Sequence, residues 1–157
     1  MALLRPLLAA LVAAVPVMAH AEAIPLGFTP FSFTDTSGEV RDQTSEHERR
    51  LAAFVETLKA ELAKSGKFEM ADVACPDTQC PPDEALAKAK SAGSRYVVLG
   101  AIQKTSTLVL WARVDVIDSN TSKVALSRWI TFRGDNDEAW TRTARFVGRA
   151  INAALAG

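Results

Sequence analysis

The clearest pattern lies late in the chain. From Thr107 to Asp118 and from Lys123 to Arg133 the even-numbered positions are apolar: Leu108, Leu110, Ala112, Val114 and Val116, then Val124, Leu126, Ile130 and Phe132, with Arg128 the exception. Side chains alternate across a strand, so this predicts a hairpin of two strands with one core face, joined at Ser119-Asn120-Thr121-Ser122. If both even sets face the core, the register centred on Asn120 puts Trp111 directly opposite Trp129. The neighbouring register of the same parity leaves them diagonal. Either way the two tryptophans share the other face with Arg113, Asp115 and Thr131.

Arg95 to Thr105 is apolar on both faces, with Tyr96, Val98, Gly100 and Ile102 on one and Val97, Leu99 and Ala101 on the other. Such a run predicts a central strand covered on both sides. Ile24 to Phe33 reads as a first strand whose phase slips at Pro30, hence a bulge or an edge. Lys67 to Val73 reads as a short strand with Phe68 and Met70 on one face. Helical spacing marks Leu51, Val55, Leu58 and Leu62, widened by Phe54. Ser45 and Glu48 have the S-x-x-E spacing of a capping box and Gly66 supplies the stop, so His47 falls in an exposed first turn. A second helix spans Asp83 to Ala92, and a third carries Trp140, Ala144, Val147 and Ile151, with Asp135 and Glu138 as its capping box. The order β-α-β-α-β-β-β-α predicts a mixed α/β fold: a central mixed sheet of about five strands with helices packed on it.

Ahead of these elements, Met1 to Ala21 has a different character. Arg5 is followed by the apolar run Leu7 to Val17 and by Ala19-His20-Ala21, the three-part pattern of a secretory signal peptide cut after Ala21. The run is shorter than the roughly 20 residues of a membrane span. The expected organisation is therefore a signal peptide at 1–21 and one α/β domain at 22–157, soluble in the periplasm after cleavage. The chain carries 18 basic and 18 acidic residues, a balance unlike the basic footprint of a nucleic-acid binder.

Export makes the compartment oxidising, so Cys75 and Cys80 are expected to pair as a structural staple. Their spacing is not C-x-x-C, which weakens a redox role. No cofactor or metal is expected, since His47 is the sole histidine after residue 21 and zinc would need further ligands. Asp135, Asp137 and Glu138 form the best candidate for a cation site, but their spacing is not that of a calcium loop, and capping with dipole compensation accounts for all three. The chain lacks G-x-S-x-G, G-x-G-x-x-G and a P-loop, so no familiar catalytic or nucleotide-binding arrangement is present.

Two polar or aromatic groups remain as candidate partner surfaces. Gln103, Lys104 and Ser106 cluster where the central strand turns into the hairpin. They are either turn chemistry with an exposed Lys or a contact surface at the sheet's end. Trp111 and Trp129 with Arg113 have the composition of an interface hot spot, unless a helix covers both rings.

Phe33-Thr34-Asp35-Thr36-Ser37, the helix from Arg50 to Leu62, the cysteine pair, Gln103 to Leu108 and Arg133 to Trp140 together resemble an uncharacterised family of bacterial periplasmic proteins, a domain of unknown function. The resemblance implies export and a small α/β fold, and no activity. The strand order is also similar to the N-terminal α/β domain of the Tol system's periplasmic propeller protein and to the α/β core of curli-secretion proteins. The expected function is a non-catalytic binding or assembly accessory with a periplasmic protein partner. The alternative is a small periplasmic enzyme or redox protein built on Cys75 and Cys80.

Overall fold

The computed structural model describes residues 22–76 and 80–155, so the signal-peptide expectation for Met1–Ala21 lies outside the described residues. The described residues form the strands β1 (Ile24–Phe28), β2 (Ser32–Asp35), β3 (Phe68–Asp72), β4 (Tyr96–Lys104), β5 (Val109–Asp118) and β6 (Val124–Arg133), and the helices α1 (Thr44–Ala63), α2 (Pro82–Ser91) and α3 (Asp137–Leu155). All strands join one mixed sheet, ordered β3-β1-β4-β5-β6, with β2 also paired to β4. The mixed α/β class holds, with one strand more than expected.

The extra strand comes from Pro30. Leu26 to Phe28 pair with Tyr96 to Val98 at the start of β4, and Ser32 to Asp35 pair with Ala101 to Lys104 at its end. Pro30 has no N–H to give the ladder, so the chain leaves the sheet and rejoins it as β2 beside the same strand. Phe31, between the two, is buried and lies over Gly100. A Cβ on Gly100 would sit 2.1 Å from the Phe31 ring, so only glycine leaves room for it.

The core lies on the face that parity assigned. Leu26, Phe28, Val98, Ile102, Leu110, Ala112, Val114, Val116, Leu126 and Phe132 pack against Phe54, Leu58 and Leu62 of α1 and Trp140, Ala144, Val147 and Ile151 of α3. Leu108 and Val124 are exposed instead. Leu108 precedes β5, and a bulge between Val116 and Ile117 pairs Val124 with Ile117, which reverses its parity. The opposite face is covered only in part, by α2 and the cysteine segment, where Val73, Ala85, Ala89 and Val97 pack with Cys75, Cys80, Leu86, Leu99 and Ile117. The Cys75–Cys80 disulfide is formed.

Both expected capping boxes are absent. α1 begins one residue early, at Thr44, with Gln43 at the cap position and no side-chain cap; the Gln43 amide bonds Glu39 and Lys104 instead. At α3 the backbone N–H of Ala139 donates to Asn136 Oδ1 at 2.9 Å, so Asn136 is the cap and Asp135 is free to turn inward. The buried stripe of α1 is His47, Phe54, Leu58 and Leu62. His47, expected in solvent, is therefore buried, and Leu51 and Val55 are only half-buried against the core.

Candidate functional site

Two features stand out, on opposite faces of the sheet. The first is a buried polar cluster at the end of β4. Lys104 lies two residues after Ile102 and so points into the same core face, where it is 1% exposed. Its ammonium pairs with Glu39, with Asp135 Oδ2 at 3.0 Å and with Gln43 Oε1 at 3.2 Å.

Asp135 is the hub. It accepts from His47 Nε2 (2.8 Å), Arg50 Nη1 (2.9 Å) and Trp140 Nε1 (3.3 Å) besides Lys104. Burial alone would push the Asp135 carboxyl up, but the hydrogen bonds from His47 and Lys104 and their charges outweigh it and hold it below the usual carboxylate range. An ionised Asp135 only accepts, so Nε2 of His47 carries the proton in this contact. For Lys104, burial opposes the charge, while Glu39 and Asp135 overcome it and raise its pKa. Arg50 extends the cluster to Asp137 at 2.9 Å, which Arg49 also holds.

The three carboxylates considered as a cation site are thus met by the protein's own cations: Asp135 and Asp137 as described, and Glu138 by Arg142 at 3.2 Å. Among the described residues no group of three or more His, Cys, Asp or Glu is placed to hold a metal ion. Beside the cluster a cleft of about 590 Å³ opens between β2 and α1, lined by Phe31, Phe33 and Leu51 together with Glu39, Gln43 and His47.

The second feature is the rest of the opposite face. The hairpin takes the neighbouring register of the expected parity: Trp111 faces Thr131, and Arg113 faces Trp129. The tryptophans are therefore diagonal, yet their rings stack with centroids 4.3 Å apart and planes inclined by 25°. Trp129 is 60% exposed, so no helix covers the pair. Arg113 Nε donates to Asp115 Oδ2 at 2.9 Å, and the Ser127 hydroxyl donates to Asp115 Oδ1 at 2.5 Å. A shallow groove of about 170 Å³ continues from Arg113 and Asp115 past Leu99 and Ala101 to Cys80.

The Gln103–Ser106 group does not act as one surface. Gln103 faces Trp111 across the strands and donates to Thr36 Oγ1 at 2.8 Å, while Ser106 lies exposed in the turn, its Oγ accepting from the Val109 N–H. Lys104 is buried on the other face, which corrects the reading of an exposed Lys. The sequence did carry a signal for the buried cluster. Lys104 continues the even face of β4, and His47 lies on the helical stripe of Phe54, Leu58 and Leu62.

A family sequence model matches residues 25–151 of the chain. The chain belongs to the family described as "Protein of unknown function (DUF2380)". No curated protein matches it by sequence. Among solved structures it is similar to TolB from Acinetobacter baumannii, with a TM-score of 0.56 at 18% identity over 86% of this chain and 29% of TolB. The hypothetical protein CT253 from Chlamydia trachomatis superposes with a TM-score of 0.54 at 15% identity, over 85% of this chain and 99% of that one. The PelC dodecamer from Paraburkholderia phytofirmans gives 0.51 at 19% identity, over 87% and 90%. At these identities the likeness shows a shared fold alone. The chain spans less than a third of TolB. The expected likeness to an uncharacterised family with a Tol-like α/β fold is met.

Proposed function

We propose that this protein is a non-catalytic binding or assembly module, exported to the periplasm, that offers the open sheet face around Trp111 and Trp129 to a protein partner. The observation that carries this reading is the stacked pair on an uncovered face. A large aromatic pair left in water forfeits burial that a helix would have supplied, and exposed aromatics ringed by polar groups are the composition of interface hot spots. Arg113, Asp115 and Ser127 already hold one another beside the rings, so little side-chain freedom is left to lose on docking. Export is supported by the tripartite pattern of Met1–Ala21. Among the described residues no helix is long and apolar enough to cross a membrane. The redox alternative gains nothing from the surroundings of Cys75 and Cys80, which pack against an apolar cluster as a staple would.

The test is a pull-down with tagged protein recovered from periplasm. Wild type is expected to retain a periplasmic protein that Trp111→Ala and Trp129→Ala lose while both variants keep the wild-type circular dichroism spectrum. A partner retained in full by both folded variants would refute the sheet-face reading.

A further inference from the structure

Donors from two separate segments meet at one carboxylate. Lys104 Nζ comes from the end of β4 and Gln43 Nε2 from the start of α1 at 3.1 Å. The group they hold is Glu39, carried on the loop between β2 and α1. Thr36 anchors the start of that loop through the Lys104 carbonyl and Arg41 pairs with Glu46 at 2.6 Å, while Glu39 holds the stretch between them. Gly38 takes φ 72°, the Glu39 N–H reaches Ser37 Oγ at only 3.4 Å, and Val40 projects fully into solvent at 103% exposure. The carboxylate is the tether.

The charge behind it makes the nest specific for an anion. Lys104 and Arg50 both converge on Asp135, and Lys104 is almost completely buried. Without Glu39 the ammonium would keep Asp135, which it shares with Arg50 and His47, and the more distant Asp35 at 3.9 Å. A buried cation short of a partner is costly, so another anion is favoured in that place. Beside Glu39 lies the cleft of about 590 Å³, within the usual size range of small-molecule sites, with Phe33 and Leu51 half-buried in its wall and Phe31 buried behind them.

We infer that Glu39 is a tethered stand-in for an external ligand: the nest of Lys104 and Gln43 binds the carboxylate of a small acid whose apolar body lies against Phe33 and Leu51. Binding exchanges one carboxylate for another on Lys104, so the charge of the buried cluster is conserved and the loop from Gly38 to Asp42 is released. The carboxylate comes from a free apolar acid or from the C-terminus of an apolar peptide. This site is separate from the tryptophan face and does not depend on that reading.

The experiment is a titration of ¹⁵N-labelled exported protein with octanoate, with acetate, and with an apolar tripeptide bearing a free or an amidated C-terminus. Octanoate is expected to shift the amides of Glu39 and Val40 and the Gln43 side-chain amide, together with Phe33 and Leu51, while acetate at the same concentration does not. Preference for octanoate over the free-terminus tripeptide assigns the source as a free acid; the reverse, lost on amidation, assigns a peptide terminus. Glu39→Ala, which empties the nest, is expected to bind the preferred probe at least tenfold more tightly than wild type, and Lys104→Met in that background to abolish the gain. Wild-type resonances left unmoved by every probe at millimolar concentration overturn the inference. So does equal tightening of acetate and octanoate in Glu39→Ala, since that is only the filling of a cavity the substitution made. The wild-type titration decides even if Lys104→Met fails to fold.

Discussion

Trp129 and Trp140 are the same residue type in opposite settings, and truncating each measures what covers it. A tryptophan buries up to about 250 Å² when fully enclosed. Trp129 is 60% exposed, so about 100 Å² of it is covered, worth about 2.5 kcal/mol at about 25 cal/mol per Å². The denatured chain already hides part of that area, which brings the expected cost of Trp129→Ala to about 1–2 kcal/mol. Trp140 is 1% exposed among Phe33, Phe54 and Phe132, and Trp140→Ala is expected to cost about 3–5 kcal/mol through lost burial and a cavity. Urea unfolding of both variants at unchanged m-value supplies the comparison. A double-mutant cycle with Trp111→Ala should return a coupling of about 0.5–1.5 kcal/mol for the stack. Trp129→Ala as costly as Trp140→Ala would mean that the face is covered, and a coupling of zero would refute the stack.

Four further outcomes follow from the structure. Asp135 has a folded pKa below its unfolded value near 3.8, so its contribution is present above that value and is lost as pH falls through the folded pKa. Asp135→Asn, which leaves Lys104 and Arg50 without their shared anion, should cost about 3–5 kcal/mol at neutral pH and flatten the acid limb of the stability profile; an unchanged acid limb would count against the hub. Gly100→Ala should cost about 1–3 kcal/mol by driving a Cβ into the Phe31 ring, and the penalty should shrink in a Phe31→Ala background; urea midpoints measure both. Replacing Cys75 and Cys80 together with alanine should remove about 2 kcal/mol by the loop-entropy account and lower the melting temperature, with partner capture in the pull-down unchanged. N-terminal sequencing of the exported protein should begin at Glu22, and a start at Met1 in a membrane fraction would refute cleavage.

Local patterning was enough for the architecture. Alternation in β5 and β6 reports which side of a strand is buried, and that depends only on the pleat, so the core face and the shared face of Trp111 and Trp129 were legible before any contact was known. The stripe of α1, the stop at Gly66 and the central position of β4 were legible for the same reason. Other features depended on residues far apart in the chain. The split at Pro30 needs β4 beside it, because only a neighbouring strand gives a missing N–H somewhere to matter. The bulge at Val116 and Ile117 shifts the ladder by one residue, which restores the core parity that the pairing beside the turn lacks. The capping boxes at Ser45 and Asp135 failed because Gln43 and Asp135 are more strongly held by Lys104, more than sixty residues from Gln43 and thirty from Asp135, than by their own helices. Spacing along one segment determines which way a side chain points. Whether it meets solvent, a helix or an opposite charge is decided by what the rest of the chain brings to that place, and so the open tryptophans and the buried Lys104 became visible only in the folded protein.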